Sequence, residues 1–415
     1  MPSKLLIKAK ESFPALRHRN FQLFFTGQGI SLIGTWMQNI AQPWLVLRLT
    51  DSPFLLGLVI AFQTLPQMLF SLFVGSIIDR LPKKKILIIT QICFMILALI
   101  LGILAASSFV RYWHVLVIAA LFGFLNTIDM PTRQAYMIEL VGKEDLMNAI
   151  GLNSSIFNLT RIIGPTLGGI LIGIIGLPAC FYFNALSFLA VIIQLIKINA
   201  VYVNNNQNKF GFKNLWKDSI DGIRYIMSRE KIREVVLFAG LITIFAFNFS
   251  VLVPVYAKDV LKLGASGFGL LMAAMGIGAL TGALIIALNK DRNPKLLTII
   301  SAGFAFSISM TLLGFVRNVI ISFILLIFIG LFMILFVTSI NTLIQLDSDD
   351  SYRGRVMSVF SFVFVGVAPI GSLYAGAIAS NFGSNIAFGI SGFIAFLTTI
   401  FIFLRVKKLI TNNQT

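Results

Sequence analysis

Apolar residues recur along this chain in long runs, interrupted at intervals by charge, Gly or Pro. Many of the runs approach the ~20 residues a helix needs to cross a bilayer. Twelve are marked: 20–47, 54–77, 86–106, 113–130, 154–175, 179–198, 234–257, 267–288, 296–316, 319–344, 355–379 and 384–405. One long polar stretch divides them six and six. It opens with Asn204-Asn205-Asn206-Gln207-Asn208 and continues with Phe212, Leu215, Trp216, Ile220, Ile223 and Met227 at helical spacing among Lys213, Lys217, Asp218, Asp221 and Arg224. That spacing predicts an amphipathic helix lying on the membrane surface, in a segment too short to bury a core of its own. The expected fold is an all-α membrane protein of twelve transmembrane helices: a six-helix bundle over 1–198, a linker over 199–233 and a second bundle over 234–415.

Composition excludes a soluble reading of the 415 residues. Hydrophobic residues make up 57% and charged ones 12%, with 39 Phe, whereas a soluble domain carries about 25% charge. With the N-terminus placed inside, 27 of the 33 Lys and Arg fall on the side of the termini. Five fall on the other side, and Arg161 lies within a span. This bias predicts cytoplasmic termini, and anionic lipid headgroups account for the net charge of +17 without nucleic acid. The basic start through Lys4, Lys8, Lys10, Arg17 and Arg19 leads into a span with no small-residue cleavage site, as a cytosolic N-terminus does.

Catalytic and metal chemistry find little material here. Cys93 and Cys180 lie in apolar stretches, and His18 and His114 have no ligand spacing around them, so neither metal nor cofactor is expected. No Ser/His/Asp or paired-carboxylate arrangement points to an enzyme. No Gly-rich sequence ends in Lys-Ser/Thr, which argues against ATP-driven pumping by this chain.

A local repeat accompanies the six-plus-six division. Gly75-Ser76-Ile77-Ile78-Asp79-Arg80-Leu81-Pro82-Lys83 matches Ala287-Leu288-Asn289-Lys290-Asp291-Arg292-Asn293-Pro294-Lys295, and Asp79 and Asp291 are 212 residues apart, about half the chain. Both copies follow the second span of their half, as expected of a duplicated bundle with parallel repeats.

On these residues the chain resembles the major facilitator superfamily of transporters over nearly its whole length. Gly75-x3-Asp79-Arg80-x2-Lys83-Lys84 is similar to that superfamily's loop motif between helices 2 and 3, with Pro82 where Gly is common. Gly151-x8-Thr160-x3-Gly164-Pro165-x2-Gly168-Gly169 resembles its antiporter signature in helix 5, with Thr160 replacing one Gly. The stretches Leu140–Ala149 and Arg353–Ser358 are similar to the enterobactin-exporter and macrolide-efflux branch. The resemblance implies a bacterial inner-membrane exporter of drug-, macrolide- or siderophore-like molecules, working as a monomer by alternating access on proton motive force. It implies a gate of Gly75, Asp79, Arg80, Lys83, Asp129 and Arg133 that latches the halves together in the outward-open state.

The polar residues inside spans are the candidates for a substrate cavity. Gln38 and Gln42 share one helix face, as do Gln63 and Gln67. Asn126, Asn248 and Asn341 are single candidates, each with interhelical hydrogen bonding as the alternative. Arg161, with Asn158 and Asn153 nearby, is expected either to attract a polar or anionic group in an aqueous cavity or to bond neighbouring carbonyls. All sixteen Asp and Glu read as lying outside the spans or near their ends, with Asp129, Glu139 and Glu234 as the peripheral candidates for a proton site. That distribution leaves a pH-independent carrier of a lipid-like or nutrient substrate as the alternative function.

Overall fold

The computed structural model describes residues 13–78, 81–107, 109–199, 212–288 and 295–412. All the regular structure among them is helical. Helices α1 (Arg19–Thr50), α2 (Pro53–Ile78), α3 (Lys83–Ala106), α4 (Tyr112–Val141), α5 (Leu146–Ile174) and α6 (Leu177–Lys197) form the first six spans. Helix α7 (Phe212–Ser228) follows in the linker. The seventh span is built from α8 (Glu230–Phe245), α9 (Phe249–Val255) and a π-helical turn at Tyr256–Val260. Helices α10 (Ala265–Leu288), α11 (Leu296–Leu313) and α12 (Val319–Asp347) are the next three. Span eleven joins α13 (Asp350–Ser361) to α14 (Ala368–Phe382) through a π-helical turn at Phe362–Gly366, and α15 (Ser384–Asn412) is the last.

Eleven of these spans are long and apolar enough to cross a membrane. Helix α1 falls short on hydropathy and not on length, since its 32 residues include Gln22, Gln28, Gln38, Asn39 and Gln42. Short connections end the helices sharply. Gly142 closes α4 at φ 72° and Gly383 closes α14 at φ 85°, in the left-handed region that glycine enters without a Cβ penalty. The Asn318 side chain caps α12 by accepting from the backbone N–H groups of Ile320 and Ile321, at 2.9 and 3.2 Å.

The two sets of six spans pack by one rule. In the first, α1 packs on α5 and α6, α3 on α4 and α6, and α2 on α4. In the second, span seven packs on eleven and twelve, α11 on α12 and α15, and α10 on α12. The halves then meet where α5 packs on α10 and α2 on α14, two contacts that exchange under the same symmetry. Glycine repeats in register: Gly123 of α4 lies against the Gln63 carbonyl of α2, and Gly330 of α12 lies against the Met275 carbonyl of α10. Without a hydrophobic drive between helices in lipid, such small-residue approaches supply the packing.

Three sequence expectations are corrected. The fourth span does not stop at 130; α4 continues to Val141, because its polar residues Asp129, Arg133 and Glu139 are neutralised in ion pairs. The seventh span is not one helix over 234–257 but breaks at Ala246–Asn248. The acids are not all near span ends, since Asp129 is buried well inside α4, while Glu234 is buried near the start of α8. The linker helix also does more than lie on a surface. It packs on α13, with Tyr225 stacked on Tyr352 at 4.6 Å, while Ile220, Ile223 and Met227 remain exposed along one face.

Candidate functional site

Helix α5 carries two faces of small residues four apart, and each serves a different neighbour. Gly164 and Gly168 lie against Trp36 and Met37 of α1, within the same half. Pro165, Gly169 and Gly173 face α10 of the other half, where the Pro165 carbonyl abuts Gly269 and Ser266 donates from Oγ to the Gly169 carbonyl at 2.7 Å. A side chain on any of these glycines would drive the helices apart, so the sequence fixes a close approach here.

That approach belongs to one end of the molecule only. Followed toward the end that carries the termini, the α10-facing ladder of α5 runs through Asn158, Ser154 and Ser155 to Gly151, where Ser154 and Ser155 are exposed and a Cβ on Gly151 would meet none of the described residues within 4 Å. At the far end the other cross-contact is equally tight, with Gly57 of α2 against the Ser372 carbonyl and Gly376 of α14. Lys258, in the π-helical turn, adds an ion pair to Asp51 and a 3.4 Å hydrogen bond to the Leu47 carbonyl, across the same seam. The halves are thus closed at the far end and parted toward the termini.

A cavity of about 240 Å³ opens in the first half on this parted side. Gln28, Ser31 and Thr35 of α1, Asn126, Asp129, Arg133 and Gln134 of α4, and Asn153 and Phe157 of α5 line it. Asp129 is its one carboxylate among the described residues. One oxygen accepts from Thr90 Oγ1 at 2.6 Å and from Gln91 Nε2 at 2.8 Å, both on α3, and the other takes the Arg133 guanidinium one turn along α4. Lys83 pairs with Glu139 at 2.7 Å beyond them, so one ion pair and the two hydrogen bonds to Asp129 tie α3 to α4. Thr90 and Gln91 escaped the sequence reading; their only signal is a polar pair inside the apolar run 86–106.

The remaining candidates separate into groups. Asn126 lines the cavity on the parted side, while Asn158 is half-buried and bonds back to the Ser154 carbonyl at 2.9 Å. Gln42 donates to Gln63 at 3.1 Å, joining α1 to α2, while Gln67 is half-buried on α2. Asn341 is half-buried on α12 and accepts from Gln345. Gln38 and Asn248 lie in helix seams and not among the residues that line the cavity. Gln38 is buried and accepts from Asn184 of α6 at 2.7 Å, and Asn248 is buried at the break of span seven against Gly371. Each satisfies its amide inside a helix seam, where a free one is costly. Arg161 is half-buried midway along α5, its guanidinium 6.0 Å from the Trp36 ring. Asp79 and Arg80 lie outside the described residues, as do 289–294 of the repeat, and of Gly75 only its place in α2 is described.

Known proteins match the whole arrangement. The family described as transmembrane secretion effector matches residues 10–414. The chain is 27% identical to the staphyloferrin A transporter of Staphylococcus aureus over 394 residues, 92% of this chain and 96% of that one. It is 24% identical to the multidrug efflux pump Tap of Mycolicibacterium fortuitum over 365 residues, 86% and 88% of the two chains. Among solved structures, the D-xylose-proton symporter superposes with a TM-score of 0.73 at 12% identity, covering 93% of this chain and 97% of that one.

Proposed function

The chain belongs to the transmembrane secretion effector family of the major facilitator superfamily, and from that premise we propose that it exports hydrophobic or amphipathic small molecules from a bacterial cytoplasm in exchange for protons. It is a membrane transporter and not an enzyme. The observation that supports alternating access is the asymmetry of the seam between halves: glycine-to-carbonyl contacts at Gly57, Gly169 and Gly269 close the far end, while among the described residues no such approach to α10 is made by α5 from Asn158 to Gly151, and the export direction is taken from the secretion family and the efflux relatives. With the termini in the cytoplasm, as the 27 basic residues on that side favour, this is the cytoplasm-facing form that loads substrate. Rocking the halves about the seam would open the far end, with the ion pairs beside Asp129 and Lys83, and with Asp79 and Arg80, forming the gate. Working as a monomer, one chain supplies both halves.

Asp129 is the acid best placed for the proton, because it is buried and lines the cavity. One observation favours a second reading, a carrier indifferent to pH. Asp129, Glu139 and Glu234 each already hold a cation, so protonation would have to break a pair. Flux of a panel of hydrophobic drugs, dyes and siderophores in proteoliposomes, with and without an imposed pH gradient, separates the two. Saturable flux that rises with the gradient supports exchange for protons, and saturable flux indifferent to it supports the second reading. Flux that never saturates, or none for any member of the panel, would overturn both.

A further inference from the structure

Among the described residues Arg161 is a cation without a counter-charge, midway along a membrane-spanning helix. It lies 15 residues from the start of α5 and 13 from its end, about 20 Å from either at ~1.5 Å per residue. At that depth even a long side chain cannot bring its head to an interface, and an isolated charge is costly. The described carboxylates of the spans are already engaged: Asp129 by Arg133, Glu139 by Lys83, and Glu234 by Arg233 and Arg405 at 3.0 and 2.9 Å. No described residue gives the Arg161 guanidinium a carboxylate or a hydrogen-bond acceptor. Its one recorded partner is the face of Trp36 at 6.0 Å, the outer limit of a cation–π contact, which offsets little of the cost.

The surroundings suit an apolar body carrying one negative group. Trp36 meets Phe157 edge to face at 5.7 Å, and Phe157 also lines the 240 Å³ cavity one helical turn toward the open side. On the other flank the Arg161 carbonyl lies against Gly276 of α10, so the residue sits at the seam between the two halves. A molecule entering from the open side would pass the aromatic pair and bring its anionic group to the guanidinium, where both halves reach it.

We infer that Arg161 is the counter-ion for the transported molecule, and that the substrate class is organic anions with an aromatic or otherwise apolar body. The inference rests on the export reading and names its substrate. A guanidinium is suited to a carboxylate or sulfonate, which it binds through two parallel N–H groups.

An isosteric ligand pair tests it by equilibrium binding, which needs no flux: 2-naphthoate and its neutral amide, 2-naphthamide, titrated onto the full chain in nanodiscs. Wild type is expected to hold the naphthoate on the order of tenfold more tightly, as for one charge-assisted contact. In Arg161→Gln the ratio of the two dissociation constants should fall toward one, and Arg161→Lys should restore part of it. If Arg161→Gln is not monodisperse, Arg161→Met is read in its place. Wild type that shows no preference, or no naphthoate binding, overturns the inference, as does a preference that survives Arg161→Gln. Saturable flux of the wider panel with no naphthoate preference would defeat the inference and leave the export reading standing. A naphthoate preference with no flux of any compound would defeat export alone.

Discussion

Lys258 reaches back across 207 residues to the Asp51 carboxylate and the Leu47 carbonyl, so one side chain ties the C-terminal end of α1 to the seventh span. Lys258→Gln is expected to loosen the far end. A cysteine placed at Gln63 should then react faster with an impermeant maleimide added from that side, and the Asp51→Lys/Lys258→Asp exchange should slow it again. Equal labelling in all three proteins would show that the pair does not hold the seam. The Lys258 ammonium also keeps the Asp51 carboxyl below its usual range. A lowered carboxylate contributes above its unfolded value of about 4 and is lost as pH falls through the folded one, so the tie should persist at neutral pH and release only in stronger acid.

Asp129 separates charge from hydrogen bonding in a way a single substitution can use. Asp129→Asn keeps an acceptor for Thr90 or Gln91 but strips Arg133 of its anion. Gradient-driven flux should fall sharply at unchanged membrane levels. Asp129→Ala removes both the anion beside Arg133 and the acceptor for Thr90 and Gln91, and should show first as lost thermal stability. Flux equal to wild type in Asp129→Asn would remove this residue from the gate and from the proton path.

Gly123 and Gly330 make matching approaches to carbonyls of α2 and α10. Gly123→Ala and Gly330→Ala should each destabilise the protein by about 1–3 kcal/mol, the usual cost of overpacking. Thermal unfolding in detergent measures both. A large loss at one site with none at the other would mean that the two halves do not share a packing rule.

The linker helix can be pinned by a cross-link. A Cβ built on Gly222 of α7 lies 3.2 Å from the Arg355 Cβ of α13, a few tenths of an ångström inside the separation a disulfide spans, so α7 need only give slightly for the bond to close. Gly222→Cys/Arg355→Cys, in a chain with Cys93 and Cys180 replaced by serine, should cross-link on mild oxidation and still transport. Tyr225 stacked on Tyr352, and its hydroxyl accepting from the Asp349 N–H at 3.0 Å, already hold α7 to the last six spans. If the cross-linked protein no longer transports, α7 must move relative to α13 during the cycle.

The spans were legible because burial in lipid demands unbroken apolar runs, and the glycines of α5 because close approach admits few residue types. What the sequence left hidden is pairwise. Nothing near Lys258 points to Asp51, and nothing near Gln38 points to Asn184. Asp129 reads as the end of a helix when Arg133 and Glu139 are counted as loop charges, and as helix interior once their partners are known. The break at Ala246–Asn248 carries no proline or glycine and so left no local mark; an Asn side chain and the neighbouring Gly371 hold it. Arg161 was visible as an oddity, but its lack of a carboxylate is a statement about every other helix.

The order in which the contacts can form during synthesis follows from where they lie in the chain. The clasp between Gln63 and Gly123 closes within the first 141 residues, so the first half can complete its packing while the second is still unmade. The groove on α5 that will receive α10 must then wait, with Pro165, Gly169 and Gly173 facing lipid, until Ser266 and Gly269 arrive. Small residues suit that interval, since a bare glycine face offers lipid little to grip and newly made helices little to misjoin. This half of the seam therefore cannot form until the first two spans of the second bundle have been made.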